Sequence, residues 1–158
     1  YGGGVPMGGD LTNAPSGVAP TFMTVAAKDP DGANLDRIQI VKGWLDGEGE
    51  LHEKVYDVAW AGDRVINPET GKLPAVGSTV DIETATYANT VGAAELAVVW
   101  RDPDFESSER AFYYVRVLEI PVPRWSTKDA VYFGVEVPEG IPLSIQDRAY
   151  TSPIWYTP

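Results

Sequence analysis

The sequence contains no cysteine and only one histidine, His52. Without cysteine the chain can hold no disulfide, no zinc–thiolate site and no thiol nucleophile. A Ser-His-Asp triad or a multi-histidine metal centre would have to be built on His52 alone. These absences indicate no thiol or multi-histidine site, and we assign no catalytic residue, metal ligand set or cofactor to this chain.

Basic residues are also scarce, since 12 Lys and Arg stand against 23 Asp and Glu and give a formal net charge of −11. No Lys/Arg cluster is present to neutralise phosphates, which disfavours nucleic acid and anionic membrane surfaces as partners. No apolar run approaches the roughly 20 residues of a membrane span, so no membrane insertion is expected. No signal peptide follows Tyr1, and we expect the chain to be a processed or excised piece of a longer protein.

What the sequence does contain is the composition of a folded domain, with 44% hydrophobic and 11% aromatic residues. One domain is the default at this length. Residues 1–20 are rich in Gly and Pro and are predicted to be a lead-in strap. A short edge strand near Met7 or a flexible linker is an alternative there. Residues 21–158 are predicted to form a single β-sandwich domain.

Apolar and polar residues alternate along much of the chain and predict about seven strands. These strands are 21–27, 35–44, 50–60, 79–84, 94–101, 112–120 and 152–156. The segment 112–120 is apolar on both faces except at Arg116, which is typical of a central strand.

Helix is predicted only as one or two short turns. One is capped by Ser126 or Thr127 and ended by Gly134, and the other covers residues 144–149. The fold class expected is therefore all-β, an antiparallel β-sandwich of immunoglobulin-like type. A barrel or a jelly roll is the alternative.

An acidic loop is the strongest candidate for a cation site, because Asp29, Asp31, Asn34 and Asp36 fall close together. Hard cations such as Ca²⁺ take six to eight oxygen ligands from loops of this kind. The spacing is not that of an EF-hand, and no bidentate Glu follows. Because Asp, Asn, Pro and Gly are also ordinary turn residues, we favour a tight turn over a metal site.

A second acidic turn contains Asp102, Asp104 and Glu106. Paired carboxylates act as acid and base only where burial or a neighbouring charge separates their pKa values. Since no cleft is indicated, we favour a solvated loop over a catalytic pair. His52 is predicted to lie on the surface, because Glu53 points to the opposite face of the strand and cannot orient its ring.

The five tryptophans could line a carbohydrate platform or fill a core. The alternation places Trp60 and Trp100 on inward faces, which favours core packing for these two. Trp125 and Trp155 are less constrained by the pattern. They are predicted as the contact surface if the chain has one.

The sequence resembles the C-terminal region of a bacterial family known as domain of unknown function 3604. The resemblance rests on long runs: GVPMGGDL (4–11), DPDGANLDRIQIVKGWLDGEGELHEKVYDVAW (29–60), LAVVWRDPDF (96–105), RAFYYVRVLEIPVPRW (110–125) and RAYTSPIWYTP (148–158). It implies longer, secreted or periplasmic proteins whose N-terminal part is similar to metal-dependent hydrolases of the polymerase-and-histidinol-phosphatase type. That part would hold the His and Asp metal ligands.

The resemblance implies that this chain is a non-catalytic accessory sandwich, periplasmic or extracellular. Its partner would be the N-terminal hydrolase-like domain of the same parent protein. A sheet face or rim should then expose a contiguous apolar patch, in the Gly-rich strap or around Trp125 and Trp155. Two alternatives stay open. One is an independent glycan- or surface-binding module, with calcium held by the acidic loop, and the other is a hydrolase that uses only carboxylates.

Overall fold

The computed structural model describes residues 4–12 and 17–158. Within these residues ten strands and one helix form. They are β1 (Asp10–Thr12), β2 (Thr21–Ala27), β3 (Leu35–Leu45), β4 (Leu51–Trp60), β5 (Glu95–Arg101), β6 (Arg110–Glu119), β7 (Val122–Pro123), α1 (Trp125–Phe133), β8 (Ser144–Ile145), β9 (Arg148–Tyr150) and β10 (Ile154–Thr157). In this part of the chain no helix has the length and apolar character needed to cross a membrane.

The strands make two layers and one small pair. A six-stranded sheet has the order β1-β10-β6-β3-β4, and β9 pairs with β6 along the edge that β10 also occupies. All of its pairings are antiparallel except that of β1 with β10. The second layer consists of β2 and β5 alone, and β7 pairs with β8.

The core lies between the two layers. Along strand β5, exposed and half-buried residues alternate. Its half-buried side chains, Leu96, Val98 and Trp100, point toward this core. From β2, Phe22 contributes its ring, which lies 5.9 Å from Trp100 and 4.7 Å from Tyr113 between ring centres. The aromatic side chains thus join the small layer to the large sheet.

The all-β, antiparallel, sandwich-like fold is confirmed, and so is the central place of β6. The single helix ends as predicted at Gly134, which adopts the left-handed conformation with φ 65°. The edge strand predicted near Met7 occurs a few residues later, as β1. Of the predicted strap, residues 1–3 and 13–16 lie outside the described residues.

Three sequence predictions of local structure are wrong. Neither Ser126 nor Thr127 caps the helix, because it begins at Trp125 with Arg124 as the N-cap residue and no side-chain capping hydrogen bond.

Residues 79–84 do not form a strand, because Asp81 and Thr86 close a turn in which the Asp81 carboxylate accepts hydrogen bonds from the backbone N–H groups of Glu83 and Thr84. Such local bonds compete with strand pairing. Residues 144–149 contain β8 and the start of β9 in place of a helix, since the edges of β7 and β6 offer backbone partners.

Candidate functional site

A buried ion pair joins strand β3 to the acidic turn that follows β5. Nζ of Lys42 on β3 lies 2.8 Å from Oδ2 of Asp102, directly after β5. The exposed fractions of these residues are 2% and 3%. The Asp102 carboxylate also accepts hydrogen bonds from the Tyr113 hydroxyl at 2.8 Å and the Asp104 N–H at 2.9 Å. The prediction of a solvated loop is therefore wrong for Asp102, because the core supplies it with a cation and two donors.

The outer end of this cluster is open to solvent. The Asp104 carboxylate accepts hydrogen bonds from Lys54 Nζ at 2.5 Å and from the Tyr56 hydroxyl at 2.7 Å. The bond from Lys54, followed by that from Tyr56, lowers the pKa of Asp104. Glu106, the third residue of the predicted acidic turn, lies exposed beyond them.

The chemistry available to the cluster is limited by its phenols. Burial, followed by the hydrogen bonds to Asp104 and Asp102, raises the pKa values of Tyr56 and Tyr113 above their ordinary value. Both phenols therefore stay protonated at neutral pH, and neither can act as a general base there. The arrangement links the 102–104 turn to β3 and β4, which is a structural role.

The predicted cation loop is organised around a lysine. Nζ of Lys28 donates hydrogen bonds to the backbone carbonyls of Asp29, Pro30 and Gly32 at 2.8, 2.9 and 3.0 Å. The Asp29 carboxylate accepts from the N–H of Asp31, as in an ordinary Asx turn. An ammonium group thus satisfies the carbonyl oxygens that would otherwise face a bound cation.

The other two candidate ligands have different partners. The Asn34 side chain donates to the carbonyls of Asn89 and Val91 and so ties this loop to the 86–93 segment. The Asp36 carboxylate is buried between two guanidinium groups, at 3.0 Å from Arg37 and 2.7 Å from Arg64. Across residues 4–12 and 17–158, no three His, Cys, Asp or Glu side chains are grouped so as to hold a metal ion.

His52 lies on the surface, as predicted. Its Nε2 is 2.7 Å from Oδ2 of Asp46, and its ring stacks on Trp44 with 5.1 Å between ring centres. The hydrogen bond from His52 lowers the pKa of Asp46. This contact closes the β3–β4 hairpin at its turn.

Helix α1 carries the largest group of exposed aromatic side chains on one element. Trp125, Tyr132 and Phe133 are 68%, 82% and 69% exposed, and the rings of Tyr132 and Phe133 meet edge to face at 4.9 Å. Only Thr127 and Ala130 of this helix are buried. We call the surface formed by Trp125, Val131, Tyr132 and Phe133 the α1 patch.

Of the residues in the α1 patch, only Trp125 was predicted as a contact residue, and Tyr132 and Phe133 were not. The sequence did contain an indication of their exposure. The nine-residue helix ends in an apolar run, and this gives it more apolar side chains than one buried stripe can hold. Exposed Ile141, Leu143 and Ile145 lie in the segment that follows α1. The Thr127 hydroxyl, which donates to the Leu143 carbonyl at 2.7 Å, holds this segment against the helix.

Trp155 belongs to a second aromatic surface, on the face of the large sheet that points away from β2 and β5. Ring centres of Trp155 and Phe112 are 5.3 Å apart, those of Phe112 and Tyr114 6.4 Å, and those of Tyr114 and Tyr150 6.2 Å. We call these four residues the aromatic row. Trp155 and Tyr150 are about half exposed. Trp125 and Trp155, predicted together, therefore lie on different surfaces.

These features define an all-β, sandwich-like domain whose deeply buried charges are paired and whose aromatic side chains are exposed in two places. The whole chain, residues 1–158, matches a family model described as protein of unknown function DUF3604, and the chain belongs to that family. Neither a curated protein nor a solved structure matches the chain.

Proposed function

We propose that the chain is a non-catalytic accessory domain that packs against the N-terminal, hydrolase-like domain of a longer parent protein, in the periplasm or outside the cell. The α1 patch carries this proposal. Large aromatic side chains of this kind are costly to leave in water, and exposed apolar patches commonly mark contact surfaces. Aromatic residues are also enriched at the centres of such contacts.

The charged clusters support an accessory role. Lys42 pairs with Asp102 and Arg64 pairs with Asp36, so each of these charges has a partner in the fold, as expected of a structural role. The resemblance described above supplies the partner, a domain that would carry the metal ligands itself.

The absence of cysteine allows a direct test, because a single introduced thiol can be labelled. In Tyr132→Cys the thiol lies in the α1 patch, and in Leu51→Cys it lies at an equally exposed site on β4. Maleimide labelling is followed by peptide mass spectrometry in this chain alone and in the parent protein. We expect the parent to slow labelling at position 132 by roughly tenfold or more, with no change at position 51. Equal rates at position 132 in the two proteins would contradict the proposal.

The aromatic row favours a second candidate function, that of an independent glycan-binding module. Exposed rings in series on a sheet face can stack on sugar rings, and the exposure of Trp155 and Tyr150 makes them accessible. The calcium-assisted form of this idea has no support, because Asn34 and Asp36 have other partners.

Titration with cellohexaose and chitohexaose, followed by tryptophan fluorescence, tests the glycan function. Trp155→Ala should abolish the fluorescence change, whereas Trp125→Ala, on the other surface, should retain it. If neither sugar changes the fluorescence of the unaltered chain, the glycan proposal fails for these polymers.

A further inference from the structure

Strand β2 has one paired edge and one free edge. It pairs with β5, and in the described part of the chain it pairs with no other strand. The ladder is bounded by two backbone hydrogen bonds, from Lys28 N–H to the Ala94 carbonyl and from Asp102 N–H to the Pro20 carbonyl. In an antiparallel pair such bonded positions recur at every second residue.

The alternation of bonded positions along this ladder determines which backbone groups of β2 have no hydrogen bond to β5. Even-numbered residues of β2 exchange hydrogen bonds with β5. The N–H and C=O groups that point to the free edge belong to the odd-numbered residues Thr21, Met23, Val25 and Ala27. These groups form a template for one further strand.

The free edge also lacks the features that usually protect such edges. Strand β2 reads TFMTVAA, with no charged residue and no proline in seven positions. Strand β5, by contrast, begins at Glu95 and ends at Arg101. Natural sheet edges are commonly blunted by charge, proline or a bulge, and an unprotected apolar edge is usually covered.

A groove of about 500 Å³ lies along this edge. Its lining includes Ile40 and Tyr113 of the core, Val115 and Ile154 of the large sheet, and residues 4–7 of the lead-in segment. None of the residues that line the groove is charged, in a chain whose net charge is −11. The groove therefore matches an uncharged occupant, and the free backbone groups of β2 require that occupant to be extended.

We propose that an uncharged, extended segment of the parent protein outside this chain adds to β2 as a third strand and places its apolar side chains in the groove. Its backbone pairs with Thr21, Met23 and Val25, and every second side chain points toward Ile40 and Tyr113. This form of recognition takes affinity from main-chain hydrogen bonds and specificity from alternate side chains. The proposal rests on the accessory role proposed above.

A second copy of the chain fits this site less well. If two β2 strands paired with each other, the inward side chain offered by the second copy would be Phe22. That ring is already buried in the core of its own molecule. The groove would stay unfilled, so the occupant has to bring apolar residues of its own.

Hydrogen exchange measured amide by amide, in this chain alone and in the parent protein, tests the proposal. The amides of Met23 and Val25 should exchange rapidly in the isolated chain and at least roughly tenfold more slowly in the parent. Those of Thr24 and Ala26, bonded to β5, should be slow in both proteins. The amide of Val99, whose N–H points to the edge of β5 away from β2, should exchange rapidly in both proteins. If Met23 and Val25 remain fast in the parent, the proposal is overturned.

A proline variant separates strand addition from packing on the outer face. Met23→Pro removes an N–H that points to the free edge and leaves the bonds to β5 intact. Val99→Pro is the matched change, because Val99 lies directly opposite Met23 and its N–H faces the other edge. Only Met23→Pro should abolish the protection of Val25 in the parent. Where a proline variant does not fold, Met23→Lys and Val99→Lys place a charge on the outer face and keep both N–H groups. Strand addition then predicts that Val25 stays protected in both lysine variants. Equal loss of protection in both variants would indicate outer-face packing and contradict strand addition.

The two proposals fail in different ways. If Tyr132→Cys is protected in the parent while Met23 and Val25 remain fast, the strand is wrong and the accessory role stands. If the amides are protected and Tyr132→Cys is not, the strand stands and the α1 patch is not the contact. If neither is protected, both proposals fall.

Discussion

The ammonium group of Lys42 and the carboxylate of Asp102 form an ion pair of 2.8 Å that is almost completely shielded from water. The first residue belongs to the large sheet, and the second follows directly after β5 in the small layer. The pair is completed by the Tyr113 hydroxyl, which donates to Asp102, and by the Asp104 carbonyl, which accepts from Lys42 at 2.6 Å. It therefore fixes how the two layers meet.

Removing either charge of this pair should strongly destabilise the fold. Lys42→Met leaves a buried carboxylate without its cation, and Asp102→Leu leaves a buried ammonium without its anion. Each single change should lower the free energy of unfolding by about 3–5 kcal/mol. The double variant should lose less than the sum of the two, because it leaves no uncompensated charge. Urea denaturation measures all three.

Lys72→Met is the control for that cycle, because Lys72 forms no ion pair in the described part of the chain. It should change the free energy of unfolding by less than about 0.5 kcal/mol. If Lys42→Met proved as mild as this control, the pair would contribute nothing to holding the layers together.

A second prediction concerns Gly92, where the chain passes closely over the core with φ 81°. A Cβ atom there would lie 2.7 Å from Ile120 Cγ2 and 2.9 Å from the Leu35 carbonyl oxygen. Gly92→Ala should therefore combine backbone strain of about 1–2 kcal/mol with an overpacking cost of about 1–3 kcal/mol.

Gly140→Ala is the matched variant, since Gly140 has φ 82° and no atom within 4 Å of the added carbon. It should show the backbone strain alone. Comparing the two urea midpoints isolates the steric overlap at Gly92. Equal losses would show that the neighbours of Gly92 move aside at no cost.

Much of the strand framework was predictable, because alternation reports which face of a strand is buried wherever that strand is regular. Strand β5 is the clearest case of alternation, whereas β6 was predicted from a run that is apolar on both faces. The wrong predictions concern residues whose structure is set by contacts with distant parts of the chain. Asp102 has the sequence context of an exposed turn, and its burial depends on Lys42, which is far away in the sequence. Strands β8 and β9 are too short to show a period and form because neighbouring edges accept them.

The candidate surfaces were predictable only in part. Trp125 and Trp155 are exposed and Trp100 packs against the core, as the alternation indicates, whereas Trp60 is only half-buried and joins neither core cluster. The sequence could not show that Trp125 and Trp155 lie on different surfaces. The free edge of β2 was not predictable at all. Its seven residues read as an ordinary buried strand, and only the sheet order shows that one neighbour is missing.

A third prediction is that the stability of the fold falls in acid as Asp104 becomes protonated. The hydrogen bond from Lys54 lowers its pKa below the ordinary value of 3.8. A lowered carboxyl pKa adds stability that is present above the unfolded value and is lost as the pH falls through the folded value. Because Asp104 is substantially exposed, Lys54→Met should cost only roughly 0.2–1 kcal/mol at pH 7.

The difference between Lys54→Met and the unaltered chain should shrink once the pH falls below 3.8 and disappear when Asp104 is protonated in both. Thermal unfolding as a function of pH measures this, with Lys72→Met as the control. A difference that persisted unchanged in acid would mean that Lys54 acts through packing of its alkyl chain and not through its charge.

The fourth prediction concerns Glu119, at the end of β6, whose pKa is shifted in the opposite direction to that of Asp104. Burial, followed by repulsion from Asp147 and Asp29, raises its pKa above the ordinary value of 4.5. A raised carboxyl pKa means that stability is highest below 4.5 and is lost as the pH rises through the folded value. Glu119→Gln removes this cost and should raise the melting temperature at pH 7.

The gain from Glu119→Gln should vanish below pH 4.5, where glutamate is neutral as well. Glu139→Gln, on an exposed loop, is the matched control and should show no such pH-dependent gain. Asp147→Asn should give part of the same stabilisation, because it removes the larger of the two named repulsions. If Glu119→Gln instead lowered the melting temperature at pH 7, the carboxylate would be making a favourable contact that outweighs its desolvation.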